Sequence, residues 1–127
     1  MKRLLMLALF LAPVAAELPP IPAEARQQQS ARIVVAQVVS VKELRVDSPG
    51  DFSKTVFEAT AKVQSVTKGS GVKAGDTLRC TYWKAGKRPQ GWAGPGGQYQ
   101  PLVAGSKVTL YLTAGNELLN PNGWDKL

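Results

Sequence analysis

Residues 55–69 read TVFEATAKVQSVTKG and show the clearest two-residue alternation in the chain. Apolar side chains fall on one side of this stretch and polar side chains on the other: Phe57, Ala59, Ala61 and Val63 against Glu58, Thr60, Lys62 and Gln64. This pattern predicts a β-strand with one buried face. The phase slips after Val63, because Val66 is apolar where Ser65 would continue the pattern. We therefore expect a β-bulge at Gln64–Ser65.

Four further segments carry strand signals, and turn-forming sequences separate them. They are residues 31–44 (ARIVVAQVVSVKEL), 77–84 (TLRCTYWK), 107–114 (KVTLYLTA) and 117–121 (ELLNP). Leu78, Cys80 and Tyr82 share one face of the third strand, and Val108, Leu110 and Leu112 form the inner face of the fourth. No helix longer than two turns is predicted. An all-β fold of five strands follows, as a barrel or a sandwich, although the seven strands of an immunoglobulin-like sandwich fit this length poorly.

Residues 1–16 have the three parts of an export signal. A Lys-Arg pair follows the initial Met, residues 4–11 are uninterruptedly apolar, and Val14 and Ala16 place small side chains before a cleavage site. The apolar run is too short to span a bilayer, which takes about 20 residues. We therefore predict a signal peptide at 1–16 and an exported protein, either periplasmic or extracellular.

Residues 17–30 (ELPPIPAEARQQQS) form the next segment. Its three prolines disfavour regular structure around them, and its glutamines show no apolar periodicity. We predict a poorly ordered Pro/Gln-rich linker, in which a short helix at Ala23–Gln29 would bury little. One β-barrel domain then covers residues 31–127.

The charge balance indicates the class of partner. The chain has 16 Lys and Arg against 9 Asp and Glu, and removal of Lys2 and Arg3 with the signal leaves 14 against 9, a net charge of +5. These charges are spread along the chain. A surface of this kind favours anionic polymers or acidic proteins, but it lacks the dense basic patch of a nucleic-acid-binding protein. No later segment resembles a transmembrane helix.

The composition argues against catalysis. The chain contains no histidine, which removes the commonest general base and transition-metal ligand. Its one cysteine, Cys80, lies on an apolar strand face and is interpreted as a buried core residue. Asp47 and Asp51 flank one hairpin loop and are interpreted as turn formers. We predict no enzymatic activity, no cofactor and no metal site.

Three segments together resemble netrin-like and TIMP-like modules. They are V.SVTKGSGVKAGDTL at 63–78, VAGSKVTLYL at 103–112 and ARIVVAQVVSV at 31–41. The segments GWAGPGG…PL and LLNPNGW also resemble a family of small exported bacterial proteins of uncharacterised function. The first resemblance implies a five-stranded OB-like barrel over residues 31–119. Metalloprotease inhibitors of that class act through an N-terminal cysteine and contain several disulfides, neither of which is possible here, so at most the scaffold transfers.

A long Gly/Pro-rich loop, residues 84–104, joins the third and fourth strands. With the end of the third strand it supplies the candidate binding residues Trp83, Lys84, Arg88, Trp92 and Tyr99. Aromatic rings can stack on sugars or pack on apolar groups, and Lys and Arg can pair with carboxylates or phosphates. A connection of this length is usually either functional or disordered.

A second interpretation gives this loop a structural role. Trp92 and Tyr99 would then cover an open end of the barrel, with Pro101–Leu102 as a further anchor. Under either interpretation we expect Arg88 to be exposed, or to pair with a carboxylate such as Glu58 or Asp125.

The sequence thus predicts an exported, non-enzymatic binding module for a protein or an anionic envelope polymer, present as a monomer. Two alternatives remain: an inhibitor of an extracytoplasmic peptidase, which the resemblance alone implies, and a structural subunit of an envelope assembly.

Overall fold

The computed structural model describes residues 19–48, 50, 52–86 and 96–127. In chain order these form the helix α1 (Ala23–Gln29) and the strands β1 (Arg32–Asp47), β2 (Lys54–Lys68), β3 (Thr77–Ala85), β4 (Lys107–Leu112) and β5 (Trp124–Lys126). The predictions for the signal peptide, Arg88 and Trp92 lie outside the described residues. No helix in the described ranges is long and apolar enough to cross a membrane.

The strands form one sheet in the order β3-β2-β1-β4-β5, and every neighbouring pair is antiparallel. The predicted all-β class is confirmed. β1 is the long central strand, because it pairs with β2 along almost all of its length and with β4 over Arg32–Gln37. From Val39 onward β1 pairs only with β2, which β3 borders on its other side along Lys54–Lys62; we call this part of β1 and β2 the β1–β2 arm.

The fifth strand differs from the prediction. It is Trp124–Lys126, whereas residues 117–121 form only single bridges. Pro121 has no backbone N–H to donate to a ladder, and Leu118 turns into the core. The prediction of a strand at 117–121 is therefore wrong.

β3 and β5 are the two edges of the sheet, and no continuous ladder joins them in the described ranges. Residues 116–118 instead lie between β3 and β4. The Thr81 N–H donates to the Asn116 carbonyl at 3.0 Å, and the Leu118 N–H donates to the Thr81 carbonyl at 2.9 Å, which makes a parallel contact. Leu118 also forms an antiparallel bridge with Leu112.

The core lies on the predicted strand faces. Fully or almost fully buried residues from four strands pack together: Val34, Ala36, Val38, Ala59, Ala61, Val63, Leu78, Cys80, Tyr82, Val108, Leu110 and Leu112. The predicted bulge is confirmed, because Val63 pairs with Ala36 and Ser65 with Val35, which leaves Gln64 without an opposite residue.

Cys80 is buried in this core, as predicted, and it is a free thiol. Burial raises the pKa of the Cys80 thiol to about 12, so the thiol is protonated and unreactive at neutral pH.

The helix α1, which precedes β1, contacts β4 and β5. Arg26 of α1 is buried, and its guanidinium carbon lies 3.9 Å from the centroid of the Tyr111 ring. Arg26 donates to both carboxylate oxygens of Asp125, at 3.0 and 2.6 Å. The helix forms at Ala23–Gln29 and buries little, as expected, since Arg26 is its one buried residue; the charge pair that holds Arg26 joins residues 99 positions apart.

Candidate functional site

The site begins with the outward face of β3. Its register with β2 runs unbroken from Thr77 to Ala85, so alternate side chains point to opposite sides. Leu78, Cys80 and Tyr82 face the core. The alternate positions Thr77, Arg79, Thr81 and Trp83 therefore form the outward row.

Trp83 lies in a short row of residues that crosses three strands. Trp83 pairs with Val56 on β2, and Val56 pairs with Arg45 on β1. A bulge at Leu44 shifts the β1 register by one residue just before Arg45. This shift brings an arginine to the same side as Trp83, which the sequence pattern of β1 alone does not indicate.

A groove of about 280 Å³ lies along this row. Its walls come from the β1–β2 arm, the end of β3 and the segment after β4: Arg45, Lys54, Val56, Thr81, Tyr82, Trp83, Thr113, Glu117, Leu118, Leu119 and Asn120. The lining combines an indole ring, two cations, hydroxyl and amide groups, and one carboxylate. We call it the Trp83 groove.

Lys54 supplies a cation that forms no ion pair with a described carboxylate, although Asp47 lies opposite it in the β1–β2 ladder and pairs with Arg45 instead. Its ammonium nitrogen lies 5.0 Å from the centroid of the Trp83 ring, within the range of cation–π attraction. Arg45 pairs with Asp47 at 3.3 Å on the exposed arm, where such a pair contributes little. Phe52 meets the Trp83 ring edge-on, with centroids 6.2 Å apart.

Lys84, the second predicted binding residue, points to the loop rather than to the groove. Its ammonium group donates to the carbonyl oxygens of Gln98 and Tyr99, at 2.8 and 3.0 Å. These two hydrogen bonds hold the returning half of the loop, residues 96–104, against the end of β3.

The returning half of the loop pairs with the end of β3. The Ala85 N–H donates to the Gly96 carbonyl and the Gln98 N–H to the Trp83 carbonyl, both at 2.9 Å. Gly97 adopts φ +82°, and a Cβ there would overlap the Trp83 backbone. Only glycine combines this φ with such a close approach.

Gln98 is a buried polar residue whose role no sequence pattern predicted. Its side-chain amide donates to the Leu119 carbonyl at 2.5 Å and to Asn120 Oδ1 at 2.9 Å. Its side-chain oxygen accepts the Gly123 N–H at 3.0 Å. A glutamine in a Gly/Pro-rich loop carries no local signal of burial, so only its tertiary partners identify it.

Tyr99 and Leu102 complete the docking of the loop. Tyr99 is half-buried, and its N–H donates to the Pro121 carbonyl at 2.9 Å. Leu102 is buried, and its N–H donates to the Tyr82 hydroxyl oxygen at 3.2 Å. The structural anchor expected at Leu102 is therefore present.

The structure brings together only part of the predicted patch. Trp83 lines the groove, whereas Lys84 and Tyr99 take part in the contacts that hold the loop against β3 and residues 119–123. The carboxylates considered for Arg88 have described partners of their own: Glu58 lies 3.7 Å from Lys42, and Asp125 binds Arg26.

Within the described ranges, no group of three or more His, Cys, Asp or Glu side chains could hold a metal ion. No protein-family model, curated protein or solved structure matches the chain. The chemistry of the groove therefore rests on its own residues, which can bind an anionic or ring-shaped group.

Proposed function

We propose that the chain is an exported, non-enzymatic binding module that takes an anionic polymer of the cell envelope in the Trp83 groove. The observation that carries this proposal is Lys54 beside the Trp83 ring, without a described carboxylate partner. Arg45 lines the same groove, and its guanidinium pairs with Asp47 at 3.3 Å, so Lys54 is the groove cation without an ion pair among the described residues.

The ring and the cations together favour a charged glycan. An indole face is a flat apolar surface on which a sugar ring can stack, and Lys and Arg pair with carboxylate or phosphate groups. The Thr81 and Thr113 hydroxyls and the Asn120 amide add neutral hydrogen-bonding groups to the groove. An acidic protein segment would use the cations but not the stacking surface.

We also propose that the sheet is an OB-like barrel of the netrin/TIMP-like type, closed by short contacts instead of a full ladder. Its support is the segment at 116–118, which runs parallel to β3 at Thr81 and antiparallel to β4 at Leu112. In such barrels ligands commonly bind on one sheet face and its bordering loops.

Titration calorimetry tests the proposed function with polygalacturonate, with poly-L-glutamate as the acidic-protein alternative and dextran as a neutral glycan. We expect polygalacturonate to bind and dextran not to bind. Lys54→Glu should lower the affinity at least tenfold, or about 1.4 kcal/mol. Trp83→Leu should lower the affinity for the glycan more than for poly-L-glutamate. Lys107→Ala, which removes an exposed charge outside the groove, is the control.

Glu117 makes the test work in both directions. Its exposed carboxylate lines the groove, where it would repel an anionic ligand. Glu117→Gln should therefore strengthen polygalacturonate binding while Lys54→Glu weakens it. Equal affinities for Lys54→Glu, Glu117→Gln and Lys107→Ala would refute the Trp83 groove as the site, and tighter binding of poly-L-glutamate would assign it to an acidic protein.

A further inference from the structure

A second cavity lies beyond the Thr81–Glu117 contact, toward the start of β3. Its volume is about 520 Å³, and Arg32, Arg79, Thr77, Asn116 and Asp76 are among its lining residues. Arg79 and Thr77 belong to the same outward row of β3 as Trp83. We call this the Arg32–Arg79 cavity.

Arg32 is a cation that is held in place without an ion pair in the part of the chain that the structure describes. Its Nε donates to the Ser70 carbonyl at 3.0 Å, and its Nη1 donates to the Ala114 carbonyl at 3.1 Å and to Asn116 Oδ1 at 2.9 Å. All three acceptors are uncharged. The guanidinium therefore keeps its full charge in a fixed orientation, which lowers the entropy cost of binding an anion.

Arg79 is exposed and makes no ion pair with a described residue. The carboxylate of Asp76 accepts the Lys73 N–H at 3.0 Å and so holds its own turn. It forms no ion pair with either arginine within the described ranges. The cavity thus has two arginines against one carboxylate.

We infer that the Arg32–Arg79 cavity binds a carboxylate or phosphate group of the same polymer that occupies the Trp83 groove. The groove and the cavity are then two binding positions, or stations, for one polymer chain. This inference rests on the proposed function. Trp83 lies four residue steps after Arg79, so the two stations are about 13 Å apart along β3. One extended polyanion can reach both stations, whereas a single sugar acid can occupy only one. Two weak contacts on one chain raise the overall affinity through effective concentration.

Calorimetry with galacturonate oligomers of increasing length tests this inference, and a matched series of poly(ribitol phosphate) chains tests phosphate as the source of charge. In the unmodified protein, affinity should rise steeply once the oligomer can span both stations. Arg79→Ala should remove that rise and lower long-chain affinity at least tenfold, while short-chain affinity stays within twofold. Arg79→Lys should restore part of the rise, and Lys107→Ala should leave it unchanged.

The outcomes separate the two proposals. If Lys54→Glu abolishes binding while Arg79→Ala matches Lys107→Ala at every length in both series, the second station is refuted and the Trp83 groove stands. If Arg79→Ala weakens short and long chains equally, the two-station arrangement is refuted. If none of the variants alters binding, the proposed function itself fails.

Discussion

The contact between Arg26 and Asp125 predicts an asymmetric response to mutation. The Arg26 side chain is 9% exposed and that of Asp125 is 48% exposed. Asp125→Ala therefore leaves a guanidinium in a buried setting, where its Nε already lacks a hydrogen-bond partner among the described residues. Arg26→Met leaves a carboxylate that already contacts water.

The exposures set the magnitudes. Breaking a fully buried pair costs about 3–5 kcal/mol, and because Asp125 is half-exposed we expect Asp125→Ala to lower the free energy of unfolding by about 2–3 kcal/mol. Arg26→Met keeps an unbranched stem near Tyr111 but loses the cation–π contact and the charged hydrogen bonds. We expect it to lower the free energy of unfolding by about 1–2 kcal/mol. The double variant should show a coupling of about 1–2 kcal/mol.

Urea unfolding of the unmodified protein, the two single variants and the double variant measures these free energies. The Ser30 N–H donates to the Arg26 carbonyl at 3.2 Å, so hydrogen exchange at this group reports whether α1 is formed. The exposed pair Arg45–Asp47 provides a matched cycle, in which we expect a coupling of about 0–1 kcal/mol. The reasoning is refuted if Arg26→Met costs as much as Asp125→Ala, or if both cycles give the same coupling.

Three further predictions concern the loop and the core. Gly97→Ala should detach the returning loop and expose Gln98 N–H to hydrogen exchange, whereas Gly105→Ala, at φ +90° with open space around it, should cost only about 1 kcal/mol. Gln98→Leu should cost about 2–4 kcal/mol in urea unfolding, because it leaves the buried Gly123 N–H without an acceptor; unchanged stability would contradict this role. Burial raises the pKa of the Cys80 thiol from 9.0 to about 12, so above pH 9 the unfolded state loses a proton that the folded state keeps. The free energy of unfolding should therefore fall by up to about 1.4 kcal/mol per pH unit above pH 9. Cys80→Ala should flatten that slope, and an unchanged slope would assign it to other groups.

Local pattern was sufficient for the strands that form the core. The alternation of β2 identified its buried face, and the phase slip after Val63 located a bulge, because side-chain direction in a strand depends on register alone. The exposed bulge residues Val39 and Leu44 of β1 were not predicted. Both are apolar, so the sequence gives no sign that they leave the alternating pattern.

The contacts that hold the N-terminal helix and the Gly/Pro-rich loop in place depend on residues distant in sequence. In the sequence, Arg26 belongs to a polar linker, and only the structure shows its contact with Asp125. Gln98 likewise belongs to a loop in the sequence, and only the structure shows its hydrogen bonds with Leu119 and Gly123. Similarly, the apolar character of residues 117–121 predicted a strand, although the segment forms single contacts to two neighbours. Such features follow from chain topology, which local patterns do not encode.

The Gly/Pro-rich loop supports the groove from behind. Gln98 bonds the Trp83 carbonyl, Gly97 permits the close approach, and Lys84 clamps the two carbonyls that follow. These contacts fix the backbone of Trp83, while Lys54 comes from the neighbouring strand β2 and Arg45 from β1. Loop variants such as Gly97→Ala should therefore weaken ligand binding by moving Trp83, without removing any groove side chain. Lys54→Glu, by contrast, should weaken binding while the loop stays docked, so hydrogen exchange at Gln98 N–H distinguishes the two causes.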